Sequence, residues 1–187
     1  EHARLLRIED GKEPVEDVTE EKLARRRARS NIPFYPRTTY FNNQASKDGI
    51  RHFVMGFGDT NPLFQDEEYA CKTKYGGIIA PGSFLYTVAW TLLGAGLTGV
   101  HGWYSGGEWE WFRPVYADAQ FSAVGIIREM LEKTGRMAGG GTLLIDYSDK
   151  IYLNQRGEIA AMEHYHTVRA GRKEAGAAGK ERKLEKP

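Results

Sequence analysis

Apolar residues recur every three or four positions in the first half of the chain and every second position after it. Leu85, Val88, Ala89, Leu92 and Leu93 follow the i, i+3, i+4, i+7, i+8 spacing of one helix face. Pro81-Gly82-Ser83 precedes them and Gly94 and Gly96 follow, so the spacing predicts a helix over 83–95. Phe84, Tyr86 and Trp90 occupy its other face. A helix that is apolar nearly all round belongs inside the fold. A shorter helix is predicted where Ile50, Phe53, Val54 and Phe57 run into Gly58-Asp59. Thr19 followed by Glu20 and Glu21, with Arg25, Arg26, Arg27 and Arg29 downstream, reads as a capped leading helix with its charges matched to the helix dipole. The simplest reading of those arginines is a solvated last turn; the alternative is a contact for an anionic ligand such as a CoA phosphate. Ile32-Pro33-Phe34-Tyr35-Pro36 cannot be helix interior and reads as a linker.

Beyond residue 100 the period becomes two. Glu108-Trp109-Glu110-Trp111 alternates, which places the two indoles on one strand face. Leu143, Ile145, Tyr147, Ile151 and Leu153 share one face, with Thr142, Asp146, Ser148, Lys150 and Asn154 on the other. Strands are also expected over 119–131 and 159–169. The intervening turns are short: Glu132-Lys133-Thr134-Gly135 with the Gly139–Gly141 run, then Asn154-Gln155-Arg156-Gly157. Short turns between long strands imply antiparallel hairpins. One apolar helix with an antiparallel meander is an α+β fold.

Composition narrows the class. A length of 187 residues suits one domain with a substantial core, and 12% aromatic residues argues against wholesale disorder. A formal charge of +1 argues against a dedicated nucleic-acid binder. The single cysteine, Cys71, excludes an internal disulfide framework and a multi-cysteine zinc site; it is expected as a small buried thiol. No run approaches the ~20 apolar residues of a membrane span, and the first residues do not read as a signal peptide. The expectation is a cytoplasmic protein with no membrane partner. Residues 171–187 are small or charged and read as a tail.

Two segments concentrate the chemistry. Gly58-Asp59-Thr60-Asn61-Pro62-Leu63-Phe64 packs turn-forming residues after an apolar helix. Asp59 and Asn61 are suited to capping backbone amides there, but a carboxylate held against a core also needs a further reason to be present. The second segment, Tyr75-Gly76-Gly77-Ile78-Ile79-Ala80-Pro81-Gly82-Ser83, leads into the main helix. Free amides at such a start can polarise a carbonyl oxygen, and Gly82 permits close approach.

Taken together, these segments resemble the MaoC-like hydratases and dehydratases, in their N-terminal-type, fatty-acid-synthase dehydratase-like branch. The resemblance rests on Ile50-Arg51-His52-Phe53, Gly58-Asp59-Thr60-Asn61-Pro62-Leu63, Asp66, Tyr69-Ala70 and Gly76-Gly77-Ile78-Ile79-Ala80-Pro81. It continues through Gly107-Glu108-Trp109-Glu110-Trp111-Phe112-Arg113-Pro114-Val115 and Asn154-Gln155-Arg156-Gly157-Glu158. The resemblance implies a hot-dog fold, a long helix wrapped by an antiparallel sheet. The resemblance covers about residues 20–170; with the linker and tail read above, the chain divides into an N-terminal helix and linker (1–36), a hot-dog domain (37–170) and a charged tail (171–187). The resemblance also implies hydration of trans-2-enoyl thioesters, or the reverse, without a cofactor or metal, on a CoA or acyl-carrier-protein thioester.

The family draws its acid and imidazole from Gly-Asp-x-Asn-Pro-aliphatic-His and its thioester-oxygen donor from a glycine amide at the helix start. By that match Asp59, Asn61 and Gly82 are the catalytic candidates. Phe64, Pro81, Ser83, Trp109 and Trp111 are the candidates for substrate binding. Phe64 stands where the imidazole is expected, and Pro81 where catalytic members often carry His before the glycine. Loss of one acid–base partner costs roughly 10²–10⁴-fold. The expectation is therefore one subunit of a hot-dog dimer whose partner chain supplies the histidine. The alternatives are a homodimer using His52 or His101, a non-catalytic acyl-CoA-binding subunit, and a hot-dog thioesterase. His164 and His166 share a strand face, but no further ligands complete a metal site, so they read as surface or interface residues.

Overall fold

The helices form where local capping and apolar spacing coincide. In a computed structural model, described over residues 18–35, 42–89, 97, 100–134 and 142–170, α1 spans Glu20–Ala28. The Thr19 hydroxyl accepts from the Lys22 amide at its start. Helix α2 spans Lys47–Phe57, opened by Ser46 and closed by Gly58, whose φ of 69° is left-handed. A 3₁₀ turn (Pro62–Phe64) and the short α3 (Glu67–Cys71) follow. Strand β1 (Ile79–Ala80) then delivers the chain to a 3₁₀ turn over Gly82–Leu85, which continues as α4 (Tyr86–Ala89). The described part of the expected main helix is thus Gly82–Ala89, tightened to 3₁₀ in its first turn. Its continuation, the Gly139–Gly141 run and the tail lie outside the described residues.

Four long strands make the sheet: β2 (His101–Trp111), β4 (Phe121–Thr134), β5 (Thr142–Asn154) and β6 (Ile159–Ala170). Their order is β2-β6-β5-β4, every pair antiparallel, as the short turns required. The two-residue β3 (Val115–Tyr116) pairs with β1. Strand β4 runs on through Glu132-Lys133-Thr134, which pairs with Leu144, Leu143 and Thr142. Those residues were expected in a turn; their exposed polar side chains tolerate a solvated strand end equally well.

Register places Ala123, Tyr152, Ala161 and Trp111 in one row across the sheet, and Gly125, Lys150, Glu163 and Trp109 in the next. This face meets α4: the Tyr152 hydroxyl donates to the Ala89 carbonyl at 3.2 Å. Phe84, Leu85, Val88 and Ala89 form the core there with Phe121, Ala123 and Ala161. The strand alternation read from the sequence holds, but on β5 the polar face is the buried one. Asp146, Ser148 and Lys150 point inward beside Leu144 and Tyr152, while Ile145, Ile151 and Leu153 are half-exposed.

That inversion is explained by α1. Leu23 packs with Leu97, Val100 and Leu144, and Arg26 Nε donates to Asp146 Oδ1 at 3.1 Å. Arg169 Nε reaches Asp146 Oδ2 at 2.5 Å. Arg25, Arg26 and Arg29 are therefore buried rather than solvated; Arg27 alone of the four is exposed, pairing with Glu20 and Glu132. The segment read as a linker also binds the body. Phe34 and Gly125 exchange amide hydrogen bonds at 2.9 and 2.8 Å, which covers the β4 edge. Among the described residues no helix is long and apolar enough to cross a membrane.

Candidate functional site

The Gly58–Phe64 loop is held by its own side chains. Asp59 Oδ1 accepts from the Asn61 amide at 2.9 Å, and Asn61 Oδ1 accepts from the Leu63 amide at 3.1 Å, opening the 3₁₀ turn. Gln65 Nε2 donates to the Asp59 carbonyl at 2.8 Å. Asp59 is half-buried, and its Oδ2 has no hydrogen-bond partner among the described residues. The 3₁₀ turn lies against β1, and Phe64 packs, partly buried, on the central core, which includes Ala80 and Phe84. The two segments singled out in the sequence are thereby brought side by side.

Strand β1 delivers Pro81, in extended backbone at φ −60° and ψ 148°, to the helix start. Gly82 is the first residue of the 3₁₀ turn, so its amide precedes every intrahelical acceptor. The Trp111 indole covers this glycine: a Cβ at Gly82 would overlap Trp111 Nε1 and lie 2.6 Å from Cε2. Only glycine fits beneath that ring. Gly82 and Trp111 line a cavity of about 450 Å³ with Tyr75, Ile79, Phe112 and Val115. Through Arg113 and Pro114 it adjoins a second cavity of about 540 Å³, which Asn154, Gln155 and Arg156 also line.

Behind Trp111 stands a stack of rings. Trp109 lies nearly parallel to Trp111 with centroids 5.6 Å apart, and nearly parallel to Tyr152 at 5.4 Å. Trp109 Nε1 donates to the Tyr86 hydroxyl at 2.8 Å, and Tyr104 donates to Glu163 Oε1 at 3.2 Å. The Tyr86 and Tyr104 oxygens are 3.3 Å apart. Because each hydroxyl has one proton, the Tyr86 hydroxyl donates to that of Tyr104 and the chain runs in one direction toward Glu163. Lys150 Nζ closes it, 2.6 Å from Glu163 Oε2. Burial raises the Tyr104 and Tyr152 phenols above their ordinary range, with the Tyr86 hydrogen bond adding to the effect on Tyr104. Burial lowers the Lys150 ammonium against the opposing pull of Glu163.

The candidates thus separate into groups. Gly82 and Trp111 share the cavity, flanked in sequence by Pro81 and the exposed Ser83, with Trp109 behind them. Asp59 and Asn61 sit on the neighbouring loop and do not line this cavity, and Phe64 packs, partly buried, against the core. His52 is exposed on α2, and the His101 side chain lies outside the described residues. His164 Nδ1 is 2.7 Å from Asp149 Oδ1, and His166 stacks on Tyr147. Among the described residues no cluster fit for a metal ion forms. Cys71 is exposed, not buried; only Ala70 of that α3 turn faces the core. Tyr75 and the Arg113–Val115 wall lay within the quoted segments but were not among the expected site residues. The Phe112-Arg113-Pro114-Val115 match was the available signal for that wall.

Residues 37–163 match the family model described as the FAS1-like, dehydratase domain region. A stretch of 49 residues is 45% identical to a probable enoyl-CoA hydratase alpha subunit of Thermomonospora curvata. That stretch covers 26% of this chain and only 15% of the relative's length. In structure the chain is similar to a MaoC-like dehydratase from Rhodospirillum rubrum. The TM-score is 0.56 at 22% identity, over 76% of this chain and 93% of that one. It is similar also to a C-terminally truncated HadBC (3R-hydroxyacyl-ACP dehydratase) complex from Mycobacterium tuberculosis. There the TM-score is 0.60 at 20% identity, over 76% and 97% of the two chains. At such identities the structural likeness is one of fold.

Proposed function

The chain belongs to the FAS1-like dehydratase family of MaoC-like hot-dog proteins, and on that premise we propose that it adds water to trans-2-enoyl thioesters or removes it from 3-hydroxyacyl thioesters. The observation that carries this reading is Gly82 at a helix start, its amide without a hydrogen-bond partner among the described residues, lining a cavity of about 450 Å³ with a largely apolar wall. Hydration of an enoyl thioester passes through an enolate, and a fixed N–H aimed at the thioester oxygen stabilises the charge that develops there. The wall of Tyr75, Ile79, Phe112 and Val115 excludes water from the acyl chain. Asp59 holds the loop with one oxygen and keeps the other for a water or substrate hydroxyl.

Phe64 moves no proton, so the imidazole comes from a second hot-dog chain. The likeness to the HadBC complex, itself a pair of chains, supports that assembly. The carrier is CoA or an acyl carrier protein.

The test is crotonyl-CoA hydration by this chain alone and by the assembly that co-purifies with it. The expected result is little turnover alone and turnover in the assembly. Asp59→Asn keeps an oxygen for the Asn61 amide and removes the charge, and should lower that turnover by roughly 10²–10⁴-fold. Full activity of the isolated chain, indifferent to Asp59→Asn, would refute the assignment. One observation favours a second reading: Asp59 is already engaged in the turn. If acyl-CoA binds every assembly but is never hydrated, the chain is a non-catalytic binding subunit.

A further inference from the structure

We propose that the indole N–H of Trp111 is a second hydrogen-bond donor to the thioester oxygen, beside the Gly82 amide. The inference rests on the reading of Gly82 given above and adds a residue to it. Side-chain bonds of a helix tilt toward its N-terminus, the end at which the first amides are open. Trp111 Nε1 occupies the place a Gly82 side chain would take, so it stands at that open end. A single thioester oxygen at that end of the cavity, with two lone pairs, would accept from both groups.

Three further features suit Trp111 to the task. Its Nε1 has no hydrogen-bond partner among the described residues, whereas the equivalent atom of Trp109 is committed to Tyr86. Its ring is held in place by stacking on Trp109, which Tyr152 supports from within. A donor fixed in advance costs no reorganisation when charge develops. Its residue surface is 53% exposed and the residue lines the cavity. An indole donates and does not accept, which confines it to stabilising the oxyanion and excludes it as a base.

The experiment uses 2,4-hexadienoyl-CoA, whose absorption moves to longer wavelength when its carbonyl is polarised. Bound to the full chain, in the assembly in which it is isolated, it should show that red shift. Trp111→Phe keeps an aromatic wall without the N–H and should lose at least about half of the shift. Trp111→His restores a ring N–H and should recover part of it. In the same assembly, crotonyl-CoA hydration by Trp111→Phe should show kcat down by about 10²-fold with KM little changed. No red shift in the unmodified protein would overturn the Gly82 reading and this inference together. A red shift kept in Trp111→Phe, or a His variant no better than the Phe variant, would overturn the Trp111 role alone.

Discussion

Lys150 and Glu163 face each other across β5 and β6, 2.6 Å apart, with neither side chain exposed to solvent. The pair lies on the sheet face that α4 covers, and Tyr104 satisfies the second Glu163 oxygen. Removing one partner strands a charge in a medium that cannot solvate it. Lys150→Met or Glu163→Leu alone should cost about 3–5 kcal/mol of stability. The double variant should cost less than either, because no charge remains to strand. Urea unfolding midpoints of the three variants give the answer; additive losses would contradict it.

Alkaline pH tests the same region. Burial holds the Tyr104, Tyr152 and Tyr165 phenols protonated above their ordinary range in the folded chain. The unfolded chain releases those protons near pH 10, so it then binds fewer protons than the folded one. Stability from the phenols is present below about pH 10 and falls as pH rises from there toward the folded values. Lys150 acts oppositely: its folded value is lowered by burial, so the unfolded chain holds the extra proton up to its own value, about 10.4. Three phenols outweigh one ammonium, and net stability should decline above about pH 10. Tyr152→Phe should flatten that decline in thermal melts taken across the range.

Gly82→Ala separates catalysis from folding at one atom. The added methyl cannot coexist with the Trp111 ring as it stands, so the indole must leave the helix start. Trp111 is half-exposed, and the melting temperature should change little. Turnover of crotonyl-CoA by the assembly should fall by about 10²-fold, the usual cost of losing an oxyanion donor. Unchanged tryptophan emission in the variant would show that the ring had not moved.

Phe64→His places an imidazole on the loop that carries Asp59. If Asp59 faces the reacting double bond, the variant should hydrate crotonyl-CoA as an isolated chain about 10²-fold faster than the parent, the lower end of what one acid–base group contributes. Phe64 is partly buried against the core, so a melt must accompany the assay. A folded variant with no gain would place Asp59 away from the chemistry.

The α2 helix, its Gly58 stop and the Asn154–Gly157 turn were legible because each is written locally, in caps and left-handed glycines. So was the pairing of Trp109 with Trp111, since alternate residues of a strand share a face. The arginines of α1 were not. Their place in the interior follows from Asp146, 120 residues away from Arg26, which no local pattern reports. Cys71 was misplaced for a related reason: a helix of five residues is too short for spacing to show which face is covered.

By itself, the sequence determined that this chain has an apolar helix beside an antiparallel meander, and where the Asp59 and Gly82 segments begin and end. These follow from periods of 3.6 and 2 and from turn residues, all properties of neighbouring positions. Only the tertiary structure decided which side of the meander is inside. On β5 the buried face carries Asp146, Ser148 and Lys150, because partners from α1 and β6 satisfy both of its charges. Nor does the order of residues say that the Trp111 ring rests on Gly82. That contact is set by the path of β2 beneath the helix start, and it is the contact on which the site turns.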